Sequence, residues 1–248
     1  GNATRSSTQA KFGTYSAYFD GTADTALEVA DSTDWDFGTD PFTIECWVYG
    51  AAVDTAIFMQ FGTPYTLNFG YILNGTNIYT HISSNGSSWD ITNLISGTNI
   101  NAASWKHYAM TRDGADNRIS WFQDGARVGY VDSSASINTG VGISIGRYVP
   151  TTTTMTGYID EIRISDSCRY PSGTTFTPHT SVHVIDANTK LLMHMEDANL
   201  IDESTLTTTD NATGTAISTA NTALTSPTTG DIVMLMEYVG TAPTLGTD

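Results

Sequence analysis

Basic residues are scarce in this chain. Lys and Arg together number 10 against 26 Asp and Glu, which gives the 248 residues a formal charge of −16 at pH 7. Nucleic acids and anionic membrane surfaces repel such a protein, so we expect no nucleic acid among its partners. The sequence contains no run of about 18 apolar residues, which argues against membrane insertion through a helix. The acidic composition is compatible with bound divalent cations and with exposure outside a cell.

Cysteine is also nearly absent. Cys46 and Cys168 are the only two, and no Cys-x-x-Cys motif occurs, so we expect neither a disulfide framework nor a cysteine-based zinc site. Cys46 shares one strand face with Ile44 and Val48, which predicts a buried thiol. A disulfide between the two cysteines is the alternative.

Sustained helical periodicity is missing, and strand signals take its place. Asp-Gly and Asn-Gly turns, whose positive φ angles suit tight hairpins, separate these segments. The predicted strands are Ala17–Phe19, Ala26–Val29, Phe42–Tyr49, Ala56–Phe61, Thr66–Leu73, Ile78–Ser83, Ser104–Arg112, Arg118–Gln123, Ala126–Val131, Val141–Gly146 and Gly157–Ser165. One hairpin turns at Asp124-Gly125. The pattern predicts an all-β, antiparallel protein, and the number of strands favours a two-sheet sandwich or jelly roll.

The segment Gly157–Ser165 carries an acidic pair inside an apolar pattern. In a regular strand Asp160, Ile162 and Ile164 share one face, so Asp160 points towards the core or its rim. A buried carboxylate needs a partner, which is an Arg, a set of backbone N–H groups or a metal. Regular alternation also turns Glu161 to the opposite face, so the two acids cannot form a catalytic pair.

Five segments follow one another in an order that resembles a known family. They are Ser16–Gly21, Asp36–Gly38, Phe42–Tyr49, Trp105–Arg112 and Gly157–Ser165. Together they resemble the laminin-G-like, concanavalin A-like jelly-roll domains of bacterial surface proteins and phage structural proteins, over roughly residues 12–178. The resemblance implies a two-sheet antiparallel jelly-roll sandwich at residues 1–180, followed by a C-terminal extension at residues 181–248.

The resemblance also implies a metal site. Members of the family often carry a calcium ion near the start of the domain and the last long strand. The matching residues here are Asp20 and Asp160, which would bind calcium together with backbone oxygens and water. The alternative is that Asp20 opens a turn and Asp160 accepts backbone hydrogen bonds.

The C-terminal extension contains an apolar segment, Thr189–Met195, that resembles the strand which often opens these domains. It has three interpretations. The extension is a linker, or it begins a degenerate second module, or residues 191–195 supply a strand to the sandwich of the same chain or of a neighbouring subunit. Strand donation would cover an otherwise open sheet edge.

A glycan site is predicted from aromatic residues in loops, where ligand sites gather. Trp89, at the tip of an Asn85-Gly86 hairpin, and Tyr148 are the candidate ligand-binding residues. Catalysis is not expected, because glycosidases need two carboxylates about 5–10 Å apart and no strand carries the alternating Glu, Asp and Glu of the related glucanases. The five histidines, His81, His107, His179, His183 and His194, are interpreted as structural or exposed.

These observations favour a non-enzymatic structural or adhesion module, extracellular or on a virion surface, such as a phage tail fibre or capsid decoration. Its partners would be other copies of itself or neighbouring subunits, and cell-surface glycans. The alternative is a carbohydrate-binding module of a bacterial surface adhesin, and a glycan-cleaving enzyme is a remote third hypothesis. The fold alone does not choose among them.

Overall fold

A computed structural model describes residues 3–196, except residues 24, 51–56, 63–64, 74–76, 99–102, 141, 152 and 172–174. The strands are β1 (Thr4–Ser6), β2 (Ser16–Asp20), β3 (Leu27–Val29), β4 (Phe42–Tyr49), β5 (Ile57–Phe61), β6 (Leu67–Leu73), β7 (Asn77–Ile82), β8 (Thr92–Thr98), β9 (Trp105–Asp113), β10 (Arg118–Gln123), β11 (Ala126–Asp132), β12 (Ile143–Ile145), β13 (Arg147–Tyr148), β14 (Thr153–Thr154), β15 (Thr156–Ser165) and β16 (Thr189–Met193). Two 3₁₀ turns span Thr33–Trp35 and Val149–Thr151. This part of the chain has no helix with the length and apolar character needed to cross a bilayer.

The strands form two large antiparallel sheets. Sheet A has the order β1-β2-β15-β4-β9-β10-β11, with β16 also pairing with β15, and sheet B has the order β3-β12-β5-β6-β7-β8. A small pair, β13-β14, lies beside them. The predicted all-β jelly-roll sandwich is therefore confirmed.

The core lies between the inner faces of the two sheets. On β4, Ile44, Cys46 and Val48 alternate into it and are almost completely buried. Sheet B contributes Leu67 and Ile82, which are also fully buried. Cys46 is buried as predicted, and both cysteines are free thiols, so the alternative of a disulfide does not form.

The hairpin at Asp124-Gly125 forms where the sequence predicts it. β10 and β11 pair around this two-residue turn, with Gln123 opposite Ala126, and their register shifts once, between Trp121 and Phe122. Asp124 has φ of 51° and Gly125 has φ of 78°, the left-handed conformation that a tight hairpin needs at both central positions.

A β-bulge in β15 overturns the predicted orientation of Asp160. The register with β4 shifts between Asp160 and Arg163, and Glu161 has φ of 52°. Ile162 belongs to the core, whereas Asp160 lies opposite Trp47 on the outer face of sheet A. The extra residue of a bulge breaks the alternation of side chains. The prediction that Asp160 and Ile162 share a face is therefore wrong.

The chain crosses the outer face of sheet A after β15 and then returns to the sheet. Residues 166–171 and 175–188, here called the strap, place Tyr170 against Glu45 and Phe176 against His107. β16 then pairs antiparallel with residues 162–165 of β15, in the same sandwich. The predicted domain boundary at residue 180 thus falls inside the fold, which continues to residue 196. Residues 197–248 of the predicted extension lie outside the described residues.

Candidate functional site

The outer face of sheet B is rich in aromatic and amide side chains. On β7 the residues Ile78 and Ile82 face the core, so Tyr79 and His81 face outwards. Tyr71 on β6 lies opposite Tyr79, and Asn68 lies opposite His81. The face is therefore built from strand positions that alternate with the core.

Five rings on this face form a continuous series of contacts. Centroid separations are 5.0 Å for Tyr148–Tyr71, for Tyr71–His81, for His81–Trp89 and for Trp89–Tyr65. We call these five residues the aromatic belt. Tyr65 is 37% exposed and the other four are half-buried, so the belt is anchored in the sheet and still open to solvent.

Local hydrogen bonds fix the loop that presents Trp89. Asn85 Oδ1 accepts the backbone N–H groups of Ser87 at 2.8 Å and Ser88 at 3.0 Å. Asp90 accepts the backbone N–H of Ser84 at 2.8 Å. Short polar side chains that cap the backbone in this way stabilise turns. The loop thus holds the indole in the belt, between His81 and Tyr65.

His81 sits in the middle of the belt and is uncharged at neutral pH. Burial lowers the pKa of His81 to about 4, although a hydrogen bond with the side chain of Asn93 works in the opposite direction. The phenol and indole rings beside it carry no charge near neutrality either. The belt is therefore a neutral surface on a strongly acidic chain.

Polar groups flank the belt near Tyr148. A depression of about 360 Å³ is lined by residues that include Gln60, Ser144 and Arg147. Arg147 donates to Glu28 at 2.6 Å, so this cation already has an acidic partner. The volume is within the range typical of small-molecule sites, which is about 300–1,000 Å³.

Asn68 has an unusual environment on this face. Its side chain is fully buried, and neither its Oδ1 nor its Nδ2 has a hydrogen-bond partner. A buried amide without partners costs about 1–3 kcal/mol for each group. A ligand with hydroxyl groups would supply both a donor and an acceptor if the neighbouring rings moved to admit it.

The two predicted ligand-binding residues are brought to the same face. Trp89 contacts His81 and Tyr65, while Tyr148 contacts Tyr71 at the far end of the belt. The sequence does not predict Tyr71 and His81 as site residues, because they lie on strands. The alternation of Ile78 and Ile82 with outward-facing residues is the signal that could have found them.

The two predicted calcium ligands are not brought together. Asp20 lies opposite Thr156, four residues before Asp160 on β15, a backbone separation of about 13 Å. One ion cannot bind both carboxylates, since calcium ligands lie about 2.3–2.6 Å from the ion. Calcium binding by either residue alone stays a prediction.

Each of the two carboxylates has protein donors. Asp20 Oδ1 accepts the backbone N–H of Thr22 at 2.9 Å and the hydroxyl of Thr25 at 2.8 Å. Asp160 accepts the backbone N–H of Lys11 at 2.8 Å and that of Glu161 at 2.9 Å. Burial raises the pKa of Asp160 to about 7 in spite of these donors. The contacts match the alternative interpretation, in which both residues are structural.

Glu161 does not point away from the face that holds Asp160. Its Oε2 accepts the backbone N–H of His183 at 2.8 Å, and its Oε1 pairs with His194 Nδ1 at 2.8 Å. The bulge allows segments that cover the outer face of sheet A to hold both acids. The prediction that the adjacent pair faces apart is wrong, and neither carboxyl group is exposed to solvent.

Gly142-Ile143-Ser144-Ile145-Gly146 matches the Gly-x-Ser-x-Gly pattern of some hydrolases. That pattern marks a nucleophile only where the serine sits on a sharp turn between a strand and a helix. Ser144 instead lies within β12, opposite Glu28 and Gln60, and its hydroxyl donates to Glu28 at 3.1 Å. The match therefore does not indicate a catalytic serine.

The aromatic face belongs to a sandwich with a recognisable family signature. Residues 14–172 match the family model of the Concanavalin A-like lectin/glucanases superfamily. The chain belongs to this family. No curated protein is significantly similar to it in sequence.

Solved structures with this superfamily fold share little sequence identity with the chain. A presumed carbohydrate binding protein from Bacteroides ovatus is 15% identical with a TM-score of 0.53, over 70% of this chain and 50% of that one. Domain 4 of AbnA, an extracellular arabinanase from Geobacillus stearothermophilus, is 16% identical with a TM-score of 0.50, over 69% and 79%. The cellulose induced protein Cip1 is 14% identical with a TM-score of 0.50, over 69% and 88%. The chain thus spans half the length of the Bacteroides protein, and at this identity the likeness concerns the fold.

Proposed function

We propose that this chain is a non-catalytic carbohydrate-binding module that works outside the cell. The observation that carries the proposal is the aromatic belt, in which Tyr148, Tyr71, His81, Trp89 and Tyr65 form a continuous series of contacts on the outer face of sheet B. Ligand sites combine aromatic surface with a few placed polar groups, and both are present here. The sequence suggests a similar function as its alternative hypothesis, namely a carbohydrate-binding module of a bacterial surface adhesin.

The preferred ligand would be a neutral glycan that lies along the belt. Aromatic rings offer large apolar faces at low cost in conformational entropy, which suits the C–H faces of sugar rings. The belt is uncharged, and the nearby Arg147 already pairs with Glu28. The chain's charge of −16 repels acidic polysaccharides. The exposed amide of Asn93 would donate to and accept from sugar hydroxyl groups.

The similar structures agree with this proposal. The arabinanase domain is described in complex with arabinotriose and comes from an extracellular enzyme, and the Bacteroides protein is named for carbohydrate binding. These properties belong to those proteins. They support the use of this fold for glycan binding in secreted systems and leave the sugar to be found by experiment.

The test is a binding survey with matched variants. The 248-residue chain would be screened against neutral polysaccharides by affinity electrophoresis, and the best ligand measured by calorimetry. Trp89→Ala and Tyr148→Ala should each weaken binding about tenfold or more, which corresponds to about 1.4 kcal/mol. Tyr130→Ala is the control, because Tyr130 is an exposed aromatic residue on sheet A, 49% accessible.

Two outcomes would contradict the proposal. The first is no binding to any neutral polysaccharide of the survey. The second is binding that Trp89→Ala and Tyr148→Ala leave unchanged, which would place the ligand elsewhere.

The virion-surface role, the self-association and the absence of catalysis expected from the sequence stay predictions.

A further inference from the structure

Four of the five histidines gather on the outer face of sheet A, away from the aromatic belt. His107 projects from β9, and His194 follows β16. His179 and His183 belong to the strap, and their ring centroids are 3.6 Å apart. These two are separated by three residues, which is a His-x-x-x-His spacing. The fold thus collects residues that are up to 87 positions apart in the chain.

A fully buried carboxylate lies at the centre of this cluster. Glu45 Oε2 is 3.1 Å from His107 Nε2 and 3.9 Å from His183 Nε2. Tyr170 donates to the same oxygen at 2.6 Å, and Arg163 donates to Oε1. Burial works to raise the pKa of Glu45, but His107, His183 and Arg163 hold it well below its ordinary value. Glu45 is therefore an anion that faces nitrogen ligands.

Two buried ring nitrogens of the cluster have no hydrogen-bond partner. They are Nδ1 of His107 and Nε2 of His183, on side chains that are 0% and 2% exposed. Burial lowers the pKa of His183 to about 2, so the ring is neutral. Buried polar atoms are almost always partnered in folded proteins, and exceptions call for an explanation such as an ion. His107 faces Glu45 through its other nitrogen, Nε2, so of the two it is the orphaned Nε2 of His183, 3.9 Å from Glu45 Oε2, that an ion beside Glu45 would satisfy.

The spacing of these groups fits a small metal ion. One ligand atom each from Glu45, His107 and His179 lie within 4.8 Å of one another, and His179 also belongs to a second such set with His183 and Glu161. Tetrahedral zinc, with ligands at about 2.0–2.2 Å, keeps its ligand atoms about 3.4 Å apart. Glu45 Oε2 lies 3.1 Å from His107 Nε2, slightly less than this value, and 3.9 Å from His183 Nε2, slightly more.

We propose that Glu45, His107, His179 and His183 form a binding site for one divalent transition-metal ion of the zinc type. Imidazole with a single carboxylate suits zinc and similar borderline ions, whereas calcium prefers oxygen ligands alone. His179 Nε2 accepts the indole N–H of Trp47 at 2.8 Å, so His179 exchanges that contact for the ion. The bound ion fastens the strap to β4 and β9 and has a structural role.

The experiment uses zinc alone as the probe. The untagged 248-residue chain would be stripped of metal, dialysed against zinc and analysed for metal content and for melting temperature. We expect one zinc per chain and a higher melting temperature, since an ion that binds the folded state stabilises it by mass action. Cobalt(II) should give the visible absorption of a tetrahedral site with nitrogen and oxygen ligands.

His183→Gln and His81→Gln form the matched pair of variants. His183→Gln removes a ring whose Nε2 has no hydrogen-bond partner, and zinc binding should weaken tenfold or more, with the melting temperature of each metal-free variant as the reference for the effect of zinc. His179→Gln should also weaken zinc binding and is the second variant. His81→Gln lies on the other sheet and should bind zinc as the unmodified protein does. No zinc uptake, or equal uptake by His183→Gln and His81→Gln, would overturn the proposal.

Discussion

Arg163 lies opposite Glu45 on the neighbouring strand and donates to one carboxylate oxygen through Nε at 2.8 Å and through Nη2 at 2.6 Å. Glu45 is fully buried and Arg163 is 9% exposed. The other oxygen of Glu45 accepts the hydroxyl of Tyr170 from the strap. One buried ion pair therefore joins β15, β4 and the segment that covers them.

Removal of the cation should destabilise the fold strongly. Arg163→Met leaves Glu45 charged and buried without its main partner, and loss of one member of a buried pair costs about 3–5 kcal/mol. Urea denaturation would measure this loss in the free energy of unfolding. Arg118→Met is the control, because its pair with Asp132 lies at the surface, where such pairs contribute little. Equal stability of the two variants would show that Glu45 does not depend on Arg163.

Acidification should lower the free energy of unfolding because of His81. Its pKa is about 4 in the folded chain against an ordinary value of 6.5. Between these values the unfolded chain binds a proton that the folded chain does not, so the free energy of unfolding falls as pH is lowered through this window. Glycan binding should fall only near and below pH 4, where the imidazole becomes charged within the belt.

His81→Phe provides the control for that prediction. It keeps a ring in the belt and removes the titration. The difference in melting temperature between the variant and the unmodified chain should therefore change between pH 7 and pH 5. A difference that stays constant with pH would mean that the pKa of His81 is the same in the folded and the unfolded chain.

Replacement of Asp160 should show whether this residue is a calcium ligand or only an acceptor of backbone hydrogen bonds. Asp160→Asn weakens the acceptor for the backbone N–H groups of Lys11 and Glu161, so the melting temperature should fall by the same amount with and without calcium. Scanning calorimetry in calcium and in a calcium chelator makes the comparison. A fall that occurs only in calcium would instead support a calcium ligand at this position.

Removal of β16 should be far more damaging than removal of the residues after it. Leu191, Leu192 and Met193 are almost completely buried, and each is worth about 1.5–3 kcal/mol. A chain that ends at Asn188 should be insoluble or unfolded, whereas one that ends at Glu196 should retain most of its stability. Thermal melting of the soluble fractions would decide. Equal behaviour of the two truncations would show that β16 is dispensable.

Much of the fold can be predicted because turn chemistry is local. Asp124-Gly125 predicts its hairpin, since few residues other than Gly, Asn and Asp adopt positive φ. β8 is not predicted, because Thr92–Thr98 mixes polar residues with Gly97 and follows a Ser-rich loop. Its strand conformation depends on pairing with β7, which no local signal encodes.

The errors at the sites have a common physical cause. Asp160 is assigned to the wrong face because the bulge at Glu161 puts a non-glycine residue at positive φ, and the sequence carries no mark of it. Trp89 and Tyr148 are predicted because the sequence places them in or beside loops, although Tyr148 ends the short strand β13 in the structure. The rings between them lie on strands, and which side of a strand faces solvent is known only once both sheets are in place.

The first and last described segments of the sandwich touch. The guanidinium of Arg5 donates to the backbone carbonyl of Glu196, and the side chain of Glu196 accepts the backbone N–H groups of Thr14 at 2.8 Å and Tyr15 at 3.0 Å. These contacts tie the segment after β16 to β1 and to the residues just before β2, so the elements that open and close the described sandwich hold each other in place.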